Sequence, residues 1–277
     1  MGLRSRLTAF ALLLLSCREK SVEHPTAIAG RGYRILSPKN VEAGRKFPAL
    51  VVLHAFDTSP QTQAGYFDVD RVFLERGYFV ILPEGKIDRD GHRFWNATDA
   101  CCDQHGERPD DVAYLDAVLD DAAARYPIDP KQLFLAGVSN GGFMAQRYAC
   151  DRAERVRGFA SVSGALWEEL TKCPASRGVA ALVIHGDADE IVHYDGGASL
   201  IGTAARYPPA PVAAQFWATR AGSTASTTSK YDSYTDVQKW TGGSSAVELW
   251  TLRGAGHSIP RSAGLPRRIA EFFAALR

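Results

Sequence analysis

Between Gln132 and Ala149 the chain passes from an apolar run, Leu133-Phe134-Leu135-Ala136, through Gly137-Val138-Ser139-Asn140-Gly141 straight into a helical pattern. Gln132 to Ala136 reads as a short buried strand and Gly141 to Ala149 as a helix, so Ser139 stands at a sharp strand-to-helix turn. The two glycines have a physical reason there: helix and strand nearly touch beside a strained serine, and a Cβ would not fit. A serine between glycines can also be an ordinary turn residue. The strand before it and the helix after it make Ser139 a candidate nucleophile.

The rest of the chain repeats the alternation. Tyr33 to Leu36 reads as an edge strand and Phe47 to His54 as a fully buried one. Further strands are expected at Phe79 to Leu82, Gly158 to Val162, Ala180 to Ile184 and Val247 to Leu252. The clearest helical spacing is Val112, Leu115, Val118, Leu119 and Ala122, opened by Asp110 and Asp111 as caps. Pro266 to Leu276 is amphipathic through Ile269, Phe272, Phe273 and Leu276. Strand alternating with helix argues a mainly parallel sheet covered on both faces. The 277 residues, 45% of them apolar, suit one large α/β domain over residues 33–277. Ala221 to Ser245, rich in Ser, Thr and Gly, reads as a long surface excursion. A net charge of +1 with no basic stripe gives no pointer to nucleic acid.

The first residues read separately. Arg4 and Arg6 precede the nine-residue apolar stretch Leu7 to Leu15, and Leu14-Leu15-Ser16-Cys17 follows. That stretch is too short to span a bilayer. Residues 1–16 read as a secretory signal whose ending resembles a bacterial lipobox, with Cys17 as the lipidated residue and 17–32 as a linker. The membrane is then a partner through an N-terminal lipid anchor; ordinary cleavage with an incidental Cys17 is the alternative. Export leaves Cys101, Cys102, Cys150 and Cys173, an even set in an oxidising compartment, for two disulfides. Adjacent cysteines seldom bond, because the link strains the peptide between them, so Cys101 and Cys102 are each expected to reach Cys150 or Cys173. The spacing suits no zinc site, and no metal or cofactor is implied.

A nucleophilic serine needs a base, and the base an orienting carboxylate, in the chain order serine, acid, histidine. Three histidines follow Ser139: His185, His193 and His257. His257, in the small-residue loop Gly254-Ala255-Gly256-His257-Ser258 after a strand, is the candidate general base. In His185-Gly186-Asp187-Ala188-Asp189, spacing alone divides the acid evenly between Asp187 and Asp189. An oxyanion would be met by the amide of Asn140 and by one from the loop after the early buried strand, where Phe56 is best placed. Trp95-Asn96 and Cys101-Cys102 read as a packed loop shaping the cleft wall, and Trp167 as a candidate acyl-pocket residue.

Taken in order, "LVVLHAF", "FWNATDACC", "DDVAYL", "LAGVSNGGFMA", "HGDADEIVHYDGG" and "GAGHSIP" resemble the secreted esterase family with polyhydroxybutyrate depolymerase-like, feruloyl esterase and acetylxylan esterase members. The resemblance covers roughly Tyr33 to Leu276. It implies an α/β-hydrolase fold and a serine carboxylic-ester hydrolase acting on an ester substrate, polymeric or plant-wall in kind. It places the acid at the last residue of His-Gly-x-x-Asp, Asp189. A serine peptidase on the same fold and a silent glycan-binding lipoprotein are the competing readings. Departures from the family pattern bear on specificity. Ala55 stands where the family has glycine, Ser258-Ile259 replace Thr-Trp, and Ser and Thr occupy the 221–243 segment where many members carry a cysteine pair. Asp187, a small hydroxyl residue in relatives, sets a second carboxylate beside the acid and would couple to its titration.

Overall fold

The computed structural model of the chain describes residues 26–175, 177–200, 203–260 and 264–277. The leader and Cys17 lie outside the described residues. The chain opens with strands β1 (Thr26–Ile28), β2 (Arg31–Leu36) and β3 (Phe47–Leu53), then helices α1 (Pro60–Tyr66) and α2 (Val69–Val72). Next come β4 (Phe79–Pro83), the ribbon β5 (Lys86–Ile87) and β6 (Arg93–Phe94), α3 (Asp111–Arg125), β7 (Ile128–Val138) and α4 (Asn140–Asp151). After β8 (Gly158–Val162) and β9 (Ala180–Gly186) follow the ribbon β10 (Gly197–Ala198) and β11 (Arg206–Tyr207), and α5 (Ala210–Arg220). The chain closes with β12 (Ala225–Lys230), β13 (Thr235–Thr241), β14 (Val247–Leu252) and α6 (Leu265–Ala274).

Ten strands join in one sheet, in the order β1-β2-β4-β3-β7-β8-β9-β14-β13-β12. The middle six, from β4 to β14, are parallel, and the pairs at each edge are antiparallel. Successive side chains of a strand point to opposite faces, which here feed two separate cores. Ala49, Val51, Leu53, Leu133, Leu135, Ala181 and Val183 pack on one face under α3, α4 and α5. Leu50, Val52, Phe134, Ala136, Leu182 and Ile184 pack on the other under α1, α2 and α6. With both faces covered, the central strands are mostly apolar; β3, β4, β8 and β9 are buried throughout, and the polar Ser161 and His185 among them are hydrogen-bonded to backbone carbonyls.

Two expectations are corrected at the sheet edges. Tyr33 to Leu36 is not at the edge, because β1 folds back on β2 through Ala29 (φ 51°) and Gly30 (φ 75°). Positive φ at both central residues is what a two-residue hairpin turn demands, and Ala-Gly does not advertise it. The sheet therefore begins inside the segment read as a linker. The Ala221 to Ser245 segment is not an excursion but the hairpin β12–β13, which extends the sheet beyond β14. Every residue of β12, Ala-Ser-Thr-Thr-Ser-Lys, is exposed, so no buried face imposes an apolar period on it.

The disulfide expectation is also overturned. Cys150, at the end of α4, bonds Cys173, with Cα atoms 5.1 Å apart. Cys101 and Cys102 bond to each other, across a cis peptide. The physical reason is proximity: Cys173 lies against the α4 terminus and satisfies Cys150, while the adjacent pair is buried where neither distant partner is left to take it.

Candidate active site

Ser139 sits between the end of β7 and the start of α4 with φ 53° and ψ −122°, a backbone conformation disfavoured for any residue with a Cβ. The glycines around it have steric causes. A Cβ on Gly137 would fall on the Gly141 carbonyl, and one on Gly141 would fall on the Leu53 carbonyl at the end of β3. Three elements thus converge within backbone contact, and the serine, 5% exposed, is pushed to the carboxyl edge of the sheet. Val162 O accepts the Ser139 amide (2.8 Å) and Ser139 O accepts that of Phe143 (2.9 Å), fixing the turn from both sides.

His257 and Asp189 come to the same edge from β14 and β9. The Ser139 Oγ lies 3.0 Å from His257 Nε2. Nδ1 of the same ring lies 3.0 and 2.9 Å from the two Asp189 carboxylate oxygens. With Nδ1–H donated to the carboxylate, Nε2 is left as the acceptor facing the serine hydroxyl. Asp189 also accepts the amides of Ile191 (3.0 Å) and Val192 (2.8 Å). Burial alone would raise its pKa; hydrogen bonds from His185 and His257, with the Ile191 amide, hold it well below the usual carboxylate range. His185, 3.3 Å behind the acid, donates Nε2–H to the Val192 carbonyl (2.7 Å).

The other acid candidate faces elsewhere. Asp187 accepts the Gly254 amide (2.5 Å), and neighbouring Glu190 accepts the His257 amide (3.1 Å). Both carboxylates tie the histidine loop to the acid loop. This tie had no signature in the sequence, where Glu190 is one more carboxylate of an acidic loop.

Behind the serine, the loop after β3 is held by buried polar side chains. Gln63 of α1 takes the Ala55 amide (3.2 Å), so Ala55 has no donor to spare, and Phe56, the next residue, lines the cleft. Burial pushes the His54 imidazole down to about 4, so it is neutral: Nδ1–H donates to the Ala55 carbonyl (2.8 Å) and Nε2 accepts the Gly85 amide (2.9 Å). Asn140 is clamped too. Its side chain accepts the Trp95 amide (2.7 Å) and donates to the Trp95 carbonyl (2.9 Å). The Asn140 backbone amide opens α4, where unpaired N–H groups and the helix dipole favour negative charge.

No family model matches the chain. Among curated proteins it is similar to a bifunctional acetylxylan esterase/xylanase of Neocallimastix patriciarum, 26% identical over 60% of this chain and 22% of the relative. It also matches feruloyl esterase D of Neurospora crassa, 27% identical over 72% of this chain and 74% of the relative. A putative esterase of Nocardia uniformis is 28% identical over 61% and 48%. The chain thus spans 22% and 48% of the length of the first two curated relatives it matches. Among solved structures, an acetyl xylan esterase from Aspergillus awamori superposes with a TM-score of 0.68 over 91% of this chain and 99% of its own, at 15% identity. A Bacillus cereus carboxylesterase gives 0.56 over 90% and 96%, at 14% identity. The chain has the α/β-hydrolase fold. The resemblance to feruloyl and acetylxylan esterases carried by its motifs is met by these relatives.

On this fold, Ser139 and His257 border a cleft of about 570 Å³, walled by Phe56, Tyr66, Ile191 and Ile259. Tyr66, which had no sequence signal, donates its hydroxyl to the Ile259 carbonyl (3.1 Å). Ile259 stands where the family carries tryptophan, and it leaves the cleft aliphatic on that side. Trp167 is not in the cleft; it is buried with the Arg147 guanidinium 5.1 Å over its ring, because the segment after β8 turns down beside α4. Trp95 likewise lies wholly beneath the site rather than along its wall. Asp110 caps α3 through the Ala113 amide (2.9 Å), whereas Asp111 is buried and binds Arg31 and the Asn96 amide instead. Among the described residues no cluster of three or more His, Cys, Asp or Glu could hold a metal ion.

Proposed function

We propose that the chain is a serine carboxylic-ester hydrolase. The reading rests on one observation above the rest: an unbroken line of hydrogen bonds from Asp189 through His257 to Ser139 at the floor of an apolar cleft. Ser139 Oγ attacks the ester carbonyl while His257 Nε2 takes its proton. Asp189 keeps Nδ1–H in place and stabilises the imidazolium that forms. The Phe56 and Asn140 amides meet the oxyanion. His257 then protonates the departing alcohol, leaving an acyl-Ser139 ester. Water, deprotonated by the same ring, cleaves that ester and restores the serine.

The cleft supports a small or planar acyl group, and the named relatives support an acetyl or feruloyl ester carried by a plant-wall polymer. Export follows from Arg4, Arg6 and the Leu7 to Leu15 stretch, and the two disulfides support an oxidising compartment. Lipid attachment at Cys17 would hold the enzyme at the envelope without a spanning helix. Among the described residues no helix is long and apolar enough to cross a membrane.

The test is hydrolysis of p-nitrophenyl acetate, methyl ferulate and acetylated xylan by wild type and Ser139→Ala, with a fluorophosphonate probe as an independent readout. Wild type is expected to turn over at least one ester and to label once at Ser139. Turnover by folded Ser139→Ala would sink the assignment.

A further inference from the structure

A second cavity of about 540 Å³ lies beside the ester cleft, between the β12–β13 turn and the loop from Arg253 to Pro260. Ser258 and Pro260 line both spaces, so the two cavities are neighbours along one loop. The outer wall is the β12–β13 turn, whose Tyr234 is 72% exposed although it is a large aromatic residue. With Tyr231, 56% exposed at the same turn, it makes an exposed aromatic surface of the kind that marks interaction sites.

The turn that presents Tyr234 is built, not loose. The Tyr234 amide binds Asp232 (2.9 Å), its carbonyl accepts the Arg253 amide (2.7 Å), and the Tyr231 amide binds the Thr235 carbonyl (2.9 Å). Tyr231 is stacked on Trp250 with centroids 5.9 Å apart, and Arg268 lies 3.8 Å over the Tyr231 ring. Tyr231, 56% exposed, is thus engaged by Arg268 and Trp250, whereas Tyr234, 72% exposed, lines the cavity.

Charge narrows the occupant. The two arginines in the cavity wall are both paired: Arg268 with Asp232 at 2.7 Å and Arg253 with Asp236. Among the described residues the wall is rich in hydrogen-bonding groups and its arginines are balanced by carboxylates, which suits a neutral ligand better than an acidic polymer or nucleic acid. An aromatic face flanked by paired polar groups suits a neutral, hydroxyl-rich pyranose, whose C–H faces pack on the ring while its hydroxyls bond the rim.

We propose that this groove binds the neutral polysaccharide chain that carries the ester, with Tyr234 as its stacking platform. The proposal rests on the esterase reading and deepens it: binding energy gathered away from the reacting carbonyl holds a polymer-linked ester over Ser139.

The test uses the full chain and three proteins: wild type, Tyr234→Ala and Tyr234→Phe. For each, kcat/KM is measured on acetylated xylan and on p-nitrophenyl acetate. Tyr234→Ala is expected to lower the ratio of the first to the second about tenfold, chiefly through KM, the size of effect one aromatic contact gives. Tyr234→Phe, which keeps the ring, is expected to retain the wild-type ratio. In a second arm, Ser139→Ala is run through gels containing soluble xylan, and its retardation is expected to vanish when Tyr234→Ala is added. An unchanged ratio in Tyr234→Ala, or no retardation by xylan, would overturn the groove while p-nitrophenyl acetate hydrolysis still stood. Absence of hydrolysis on every ester would instead overturn the esterase reading, and the gel arm would then decide the groove by itself.

Discussion

Asp187 and Asp189 are two residues apart and do opposite jobs. Asp189, 4% exposed, faces the His257 ring, whereas Asp187 faces solvent and takes the Gly254 amide. We expect Asp189→Asn to lower kcat about 10⁴-fold, as loss of the orienting carboxylate leaves the imidazole in the wrong tautomer. Asp187→Asn should stay within about tenfold, since it weakens one backbone hydrogen bond worth about 1 kcal/mol. Steady-state kinetics at neutral pH checks both, and the reverse ranking would move the acid upstream. Sequence spacing could not separate these two, because the difference is the direction each side chain takes out of a tight turn closed by the Asp189 amide on Gly186 O (3.3 Å). Ser139 and His257 were readable because their surroundings are glycine-rich for steric reasons. Gln63 was not, since a glutamine on a short helix that takes one amide leaves no mark on the pattern around it.

At the level of elements, the central strands were legible because burial on both faces leaves their buried stretches almost wholly apolar. The edges were not. The Ala29-Gly30 turn lacks the residues such turns usually carry, and β12 meets no core. Elements that look alike in sequence should therefore differ in what they contribute. Phe273 on α6 is fully buried and stacks on Phe134 of β7 with centroids 4.7 Å apart. Phe273→Ala should cost about 3 to 5 kcal/mol and lower the melting temperature by about 10 °C. Thr228→Ala, in the exposed strand β12, should shift stability by no more than about 0.5 kcal/mol. Urea unfolding of both variants reads the contrast, and equal losses would mean that the hairpin belongs to the cooperative core.

Across the whole molecule, two features set stability. The Cys150–Cys173 bond closes a separation of 23 residues, worth about 3 kcal/mol in the chain-entropy model. Cys150→Ser with Cys173→Ser should lose about that much by urea unfolding, and an unchanged midpoint would show that the bond is idle. The second feature is His54, whose pKa falls from 6.5 to about 4 on burial. Above pH 6.5 the group is neutral folded or unfolded and contributes nothing. As pH falls from 6.5 towards 4 the unfolded chain takes up the proton and the folded one does not, so stability drops by about 3 kcal/mol across that window and levels below it. Asp189, whose folded pKa is depressed, acts in a separate window, losing its contribution only as pH falls below the unfolded value of 3.8. Unfolding free energies at pH 7 and pH 4.5 should therefore differ less in His54→Gln than in wild type; identical slopes would acquit His54. The order of the strands has one more consequence. Ser139 and Asp189 precede the exposed bend at 242–244 between β13 and β14, and His257 follows it. A polypeptide opened at that bend would yield two inert halves, and ester cleavage would return only when β14 slid back between β9 and β13, making the pair a reporter for the meeting of whatever is fused to them.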